Sequence, residues 1–290
     1  MNPDRDSIFK EETTILEHLH LDGDQHILKL NSPDIASTAL PGSFVHVECG
    51  PQFTLRRPIS IMRADKNSGT IELLYKRLGR GTTALSEREV GEPLSLLGPI
   101  GRPFIPHPER KRPLLIGGGV GMPPMVFIAE SLRSDSSYQP FAILGSEVPF
   151  PFPVTPSQMV IPGMPDGVIG SMPLLEDWGI PNRLASLQGY PGTHDGYVTD
   201  LARHWLDALT VEERSQVELF SCGPHPMLEA VATLAREYDL PCQVSLEEFM
   251  ACGVGGCAGC VVQIETPQGP AMKRVCVDGP VFEATAVFGA

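Results

Sequence analysis

The sequence predicts an α+β multidomain protein with three parts. An antiparallel β-barrel covers residues 1–108, an α/β domain on a parallel sheet covers 109–243, and a small module covers 244–290. Three observations carry this expectation. Short period-two runs recur at close spacing through the first hundred residues. Beyond residue 110, continuous apolar runs alternate with helix-like stretches. Four of the seven cysteines fall after residue 250. A chain of 290 residues is also long for one hydrophobic core.

The barrel strands read in order as Ile15-Leu16, His26-Ile27-Leu28-Lys29-Leu30, Ser43 to Glu48, Pro58 to Ile61, Thr70 to Tyr75 and Gly91 to Leu97. Pro41-Gly42 and Asp65 to Gly69 supply turns between them. Thr83 to Glu87 lacks strand alternation, so one short helix is expected after Gly81-Thr82. The character changes at Leu114-Leu115-Ile116, a run of the kind buried in a parallel sheet. A helix is expected from Pro124 to about Arg133, a strand at Phe141 to Leu144, and a helix from Val198 to Leu209. A strand at Val217 to Phe220 and a helix from Pro226 to Tyr238 complete the layer. Seven prolines between 149 and 173 exclude a long helix or a central strand there. Residues 146–193 are therefore read as irregular loops with one short element near Leu174-Leu175.

The net charge of −13 disfavours nucleic acid as a partner, because such a surface repels phosphate backbones. No stretch approaches the ~20 apolar residues of a membrane span. The opening Met1 to Asp6 is charged and no apolar leader follows, so the expected location is cytoplasmic. In that setting clustered cysteines point to metal or redox chemistry rather than to disulfides.

Cys252, Cys257 and Cys260 form C-x4-C-x2-C, and Cys276 follows after fifteen residues. This is the plant-type ligand spacing of a 2Fe–2S cluster. The intervening residues are nearly all small, and glycines there turn amide N–H groups toward sulfur. Zinc and a redox disulfide are the competing readings, and zinc favours C-x2-C pairs over a four-residue gap. Cys276 is taken as fourth ligand because it is the only cysteine after Cys260.

Gly117-Gly118-Gly119-Val120-Gly121 separates a strand from a helix start. Such a turn offers backbone N–H groups to a pyrophosphate. Pro124 breaks the strict G-x-G-x-x-G pattern counted from Gly119. Cys222-Gly223-Pro224 follows the strand at 217–220, at the carboxyl end where α/β sheets bind ligands. There Cys222 is read either as a residue reaching a bound ring or as a small buried hydrophobe. Arg56-Arg57-Pro58-Ile59-Ser60 suits diphosphate or ribityl binding, with a surface charge pair as the alternative. His18, His20 and His204 are read as surface or core residues, not ligands.

In this order and spacing, Arg57-Pro58-Ile59-Ser60, Gly81-Thr82, the 117–121 turn and Cys222-Gly223-Pro224 resemble the ferredoxin–NADP reductase superfamily. With the short C-terminal cluster, the chain is similar over nearly its whole length to the electron-transfer subunits of class 1B dihydroorotate dehydrogenase. The resemblance implies an FAD-binding barrel, an NAD(P)-binding α/β domain and a 2Fe–2S module. It places Arg57 on the FAD diphosphate and Ser60 near the isoalloxazine, with Pro58 and Ile59 beside them. Leu74, Tyr75 and Lys76 would line the flavin, and Gly81 and Thr82 its phosphates. Gly117, Gly119, Gly121, Cys222, Gly223 and Pro224 would frame NAD(H), and the four cysteines would hold the cluster. Electrons would pass from NADH through FAD and the cluster to an FMN-containing catalytic subunit, in a heterotetramer that oxidises dihydroorotate to orotate for pyrimidine biosynthesis. No catalytic nucleophile or general base is implied.

Two departures from the family pattern stand out. Met122-Pro123-Pro124 replaces small apolar residues, and the proline-rich 146–193 segment is longer than usual. Two other readings stay open: a reductase subunit of another NAD(P)H system (a ferredoxin–NADP transhydrogenase, a sulfide dehydrogenase or an oxygenase), and a zinc-stabilised binding module. Glu147, after the second α/β strand, is placed to favour NADH by bonding a ribose 2′-hydroxyl, or is an exposed loop residue.

Overall fold

Alternating runs in the N-terminal third close on themselves. The computed structural model describes residues 7–289, so the charged opening at 1–6 lies outside the described residues. Strands β1 (Phe9–Leu21) and β2 (Gln25–Asn31) are followed by helix α1 (Pro33–Thr38). Then come β3 (Phe44–Val47), β4 (Arg57–Asp65), β5 (Thr70–Lys76), helix α2 (Arg80–Ser86) and β6 (Pro93–Ile100). The six strands form a closed barrel in the order β1-β2-β5-β4-β3-β6, with every pair antiparallel. Leu28 pairs with Leu73 and Leu30 with Ile71 across the ladder, and all four are fully buried. These period-two pairs are the barrel's core.

Helix α1 was not expected from the sequence. It is short, opens on Pro33 and buries only Ile35 and Ala36. The Glu11 carboxylate anchors it, accepting from Ser32 Oγ at 2.6 Å and from the Ile35 amide at 3.2 Å. Helix α2 starts before the expected point and takes Gly81 and Thr82 into its first turn.

The α/β layer begins with β7 (Arg112–Gly118), a turn of 3-10 helix at Gly119–Gly121 and α3 (Met122–Leu132). Next are β8 (Phe141–Gly145), the two-residue strands β9 (Thr155–Pro156) and β10 (Gly170–Ser171), α4 (Pro173–Asp177) and β11 (Asn182–Ala185). Helices α5 (Val198–Ala208) and α6 (Val211–Arg214), strand β12 (Val217–Cys222), α7 (His225–Glu237) and β13 (Cys242–Ser245) follow. The hairpin β14 (Val261–Thr266) and β15 (Gly269–Arg274) precedes β16 (Val281–Glu283) and α8 (Ala284–Phe288).

The six-stranded sheet runs β11-β8-β7-β12-β13-β16. Its pairs from β11 to β13 are parallel. The chain builds outward from β7 to β11, then returns to the other side of β7 with β12. Order therefore reverses between β7 and β12, the switch point at which open α/β sheets bind ligands. Leu114, Leu115 and Ile116 are fully buried, as a strand covered on both faces requires. Helix α5 buries Val198, Leu201, Ala202, Trp205 and Leu206 on one face, the i, i+3, i+4, i+7 pattern. Helix α3 is apolar nearly all round and is buried. Its Pro123 and Pro124 sit in the first turn, where missing N–H groups cost little.

Strand β11 corrects the expectation of irregular loops for part of 146–193. Its sequence is polar, yet all four residues are buried. Asn182 Oδ1 accepts from the Met172 amide at 2.7 Å, and the Arg183 guanidinium donates to the Asn182 and Met159 carbonyls. Hydrogen bonds from these two side chains stand in for hydrophobicity, although Arg183 Nε is buried without a partner, and periodicity does not detect such a strand.

The chain divides into two compact units. One contains the residues up to Pro103 with Leu246–Val281, and the other contains Phe104–Ser245 with the residues from Phe282 onward. No helix among the described residues is long and apolar enough to cross a membrane.

Candidate functional site

Arg56 and Arg57 are adjacent but do different work. The Arg56 guanidinium donates to the Ser95 carbonyl at 2.7 Å, to Ser95 Oγ at 3.0 Å and to Glu48 at 3.0 Å, which ties β4 to β6. Arg57 donates only to the carbonyls of Leu55 and Arg56, and has no carboxylate partner among the described residues. Its guanidinium lies against Gly81, where an added Cβ would come within 2.8 Å of Nε. Thus β4 and α2 meet in one cationic patch, and a side chain at Gly81 would displace the Arg57 guanidinium from its present place. Arg57 and Arg80 each lie 6.0 Å from the Phe53 ring. Thr82 Oγ1 accepts from the Leu78 and Gly79 amides, which shapes the turn into α2. Pro58 and Ser60 are half-buried beside Arg57, and Ile59 is buried. Leu74 and Tyr75 are buried, so they offer backbone rather than side-chain surface, while Lys76 is half-buried.

In the α/β unit the two expected turns come together. Gly117 pairs with Cys222 at the carboxyl ends of β7 and β12. A Cβ on Gly121 would lie 2.3 Å from the Cys222 carbonyl oxygen and 2.5 Å from the Gly223 nitrogen. Gly223 in turn lies near the Gly118 amide, and Pro224 packs against Gly118. Gly119 has φ +55 and open space where a Cβ would point. Backbone of both turns thus crowds the switch point, and the Met227 side chain packs against Gly118 and Gly223. The Cys222 side chain is fully buried, so its environment is that of a small hydrophobe. Glu147 is exposed just beyond the end of β8, the strand next to β7.

The cysteine loop is built as two pairs. Cys252 titrates under the influence of Cys257, and Cys276 under that of Cys260, which places each thiol beside its neighbour. The Gly259 amide donates to Cys257 Sγ at 3.4 Å and the Cys276 amide to Cys260 Sγ at 3.5 Å. Burial pushes the Cys252 thiol up, but amides of Val254, Cys257 and Gly256, with the Cys257 thiol, outweigh it and bring the group to about 7. Burial, then the neighbouring Cys260, raises Cys276 to about 12.

Two irons, each with two thiolates, would use all four cysteines. Positive φ occurs at Gly253 (69°), Gly255 (78°) and Ala258 (54°). The last is a non-glycine residue held in the left-handed region by the loop. A Cβ on Gly253 would lie 2.9 Å from Nδ1 of His46, whose ring belongs to β3 of the barrel. His46 is buried, both its ring nitrogens lack partners, and burial, then the Arg56 and Arg57 charges, lowers it to about 4. Its position against the loop has no signal in the sequence.

Comparison with known proteins agrees with this geometry. A family model, the iron–sulfur cluster binding domain of dihydroorotate dehydrogenase B, matches residues 247–288. A Desulforamulus reducens protein named dihydroorotate dehydrogenase B (NAD(+)), electron transfer subunit, is 34% identical over 265 residues, which is 90% of this chain and 92% of that protein. A Geobacillus sp. protein of the same name is 32% identical over 282 residues, 96% of this chain and 98% of its own length. Among solved structures, an NADH-dependent reduced ferredoxin–NADP oxidoreductase studied for flavin-based electron bifurcation aligns with a TM-score of 0.76 and 24% identity, over 96% of this chain and 90% of that one. A ferredoxin reductase of carbazole 1,9a-dioxygenase aligns at 0.62 and 23%, over 81% of this chain and 67% of that one. The two structures share the fold.

Proposed function

The chain belongs to the family of dihydroorotate dehydrogenase B electron transfer subunits, and from that premise we propose how its residues serve electron transfer to a partner. It is an oxidoreductase subunit that passes electrons between NADH and a catalytic subunit, with FAD, a 2Fe–2S cluster and NAD(H) as its redox groups. When bound, FAD converts the two-electron chemistry of a nicotinamide to the one-electron chemistry of a cluster.

The observation that carries this reading is the cysteine loop, whose four thiols lie within residues 247–288, the stretch matched by the iron–sulfur binding family model. Cys252 with Cys257 would hold one iron and Cys260 with Cys276 the other. Arg57, unpaired by any carboxylate among the described residues, would bind the flavin diphosphate bidentately. Gly81 leaves the guanidinium room, and Thr82 fixes the turn beneath it. Pro58, Ile59 and Ser60, with the backbone of Leu74, Tyr75 and Lys76, would form the rest of that seat. Amides at Gly117, Gly119, Gly121 and Gly223, beside Cys222 and Pro224, would receive the nicotinamide nucleotide. The work of these residues is placement, and no proton-transferring side chain is assigned.

The partner would be an FMN-containing subunit that oxidises dihydroorotate, in a cytoplasmic heterotetramer. The purified protein is expected to show flavin and iron–sulfur absorption together. Capture of the native complex is expected to bring a second chain with FMN and dihydroorotate-oxidising activity. A captured partner lacking both would sink this reading and leave a reductase of another system. Arg57→Ala is expected to lower FAD per chain at least tenfold in affinity, read by flavin release, while iron content holds. Glu147 would select NADH, and Glu147→Gln is expected to raise relative NADPH use several-fold in steady-state assays. An unchanged ratio removes Glu147 from specificity.

A further inference from the structure

We propose that His18, His20 and His26 form a binding site for a divalent transition-metal ion at the β1–β2 end of the barrel, separate from the cysteine cluster. In the sequence alone, His18 and His20 read as surface or core residues, but strand geometry gathers them with His26. His18 and His20 are two apart on β1, so they share a face, and His20 pairs directly with His26 on β2. One ligand atom from each ring lies within 4.8 Å of the other two. Three nitrogens about 2.1 Å from one zinc ion lie roughly 3.4 Å apart, so modest ring rotations close the set. The exposed His20 has room to make them.

Two further observations point to a ligand. His26 is only 6% exposed, and neither of its ring nitrogens has a hydrogen-bond partner. A buried imidazole without partners is costly, and a metal ion would satisfy one nitrogen. His18 is already set as a ligand. Its Nδ1 lies 2.7 Å from the Arg88 carbonyl, which can only accept, so Nδ1 carries the proton and Nε2 presents its lone pair. Metal-bound histidines commonly make this outer bond to a carbonyl. The Tyr75 hydroxyl now donates to Nε2 at 3.0 Å, so metal entry exchanges one hydrogen bond for a coordinate bond. Burial lowers both His18 and His26, the latter to about 4, so both rings are neutral and able to coordinate near pH 7. Three imidazoles with an open position suit zinc, copper, nickel or ferrous iron.

The test uses untagged holoprotein with flavin and cluster loaded, so that the cluster cysteines are occupied. It is equilibrated with zinc at about 10 µM free ion, which fills a site of micromolar affinity. The expected result is one zinc per chain by elemental analysis, with a nitrogen shell at about 2.0–2.1 Å in zinc-edge X-ray absorption. His20→Ala removes an exposed ligand and is expected to weaken binding at least tenfold with flavin and cluster spectra unchanged. His204→Ala, an exposed histidine elsewhere, is expected to bind as the parent does. Absence of bound zinc, a sulfur shell near 2.3 Å, or undiminished binding by His20→Ala would overturn the proposal.

Discussion

At the scale of single residues, Gly121 is the clearest structural requirement in the α/β unit. Any side chain there meets the Cys222 carbonyl at 2.3 Å, and backbone cannot yield as a flexible side chain can. Gly121→Ala is expected to cost about 1–3 kcal/mol by overpacking and to weaken NADH binding, read by thermal melting and by titration. A second expectation concerns His107. It donates from Nδ1 to Glu218 at 2.8 Å, and that carboxylate is fully buried and also accepts from Gln243. The hydrogen bond, then the Glu218 charge, raises His107 above its ordinary value. The folded state therefore holds the proton more tightly than the unfolded one. The stabilisation is complete below about pH 6.5 and is lost as pH rises through the raised value. Denaturation of wild type and His107→Ala is expected to differ most at pH 6 and below, by no more than about 1 kcal/mol because the ring is half exposed. A gap that widens with pH would reject the pairing. The turns after Gly117 and Cys222 were legible as turns at strand ends because glycine beside an apolar run marks one. That they touch was not legible, since contact depends on the order of strands in space.

At the scale of elements, the cysteine loop separates glycines that are needed from those that are not. Gly253 has φ +69 and His46 at its α-carbon, whereas Gly256 has neither a positive φ nor a neighbour within 4 Å. Gly253→Ala is expected to cost about 1–2 kcal/mol in backbone strain and to lower iron per chain after reconstitution. Gly256→Ala is expected to reconstitute normally. Equal iron in both variants would show that the loop's conformation does not matter to assembly. Spacing made the loop readable in the sequence, because cluster ligation fixes which gaps between cysteines work. Strand β11 and the hairpin β14–β15 were not readable. The first buries Asn182 and Arg183 where apolar residues are usual, and β14 of the second has an irregular burial pattern. Each expected barrel strand, by contrast, overlaps an observed one, although the expected Ser43–Glu48 overruns β3 at both ends and the expected Gly91–Leu97 starts two residues before β6.

At the scale of the whole molecule, the chain does not visit its units one after another. It builds the barrel, leaves for the α/β unit, returns at Leu246–Val281 for the cysteine loop, and ends in β16 and α8 on the α/β side. Removal of Phe282 onward is expected to lower the melting temperature of the α/β unit, because it takes most of the edge strand β16 and the helix whose Phe288 carbonyl accepts from Arg236. This double crossing also sets a timetable for synthesis. The barrel leaves the ribosome early, but the segment that completes its unit follows about 140 residues later. At roughly 5–20 residues per second, that delay is on the order of ten seconds or more. Throughout it, His46 waits without the loop that will lie against its ring. Insertion of the cluster is thereby placed after both the barrel and the parallel strands β7, β8, β11, β12 and β13 have been made.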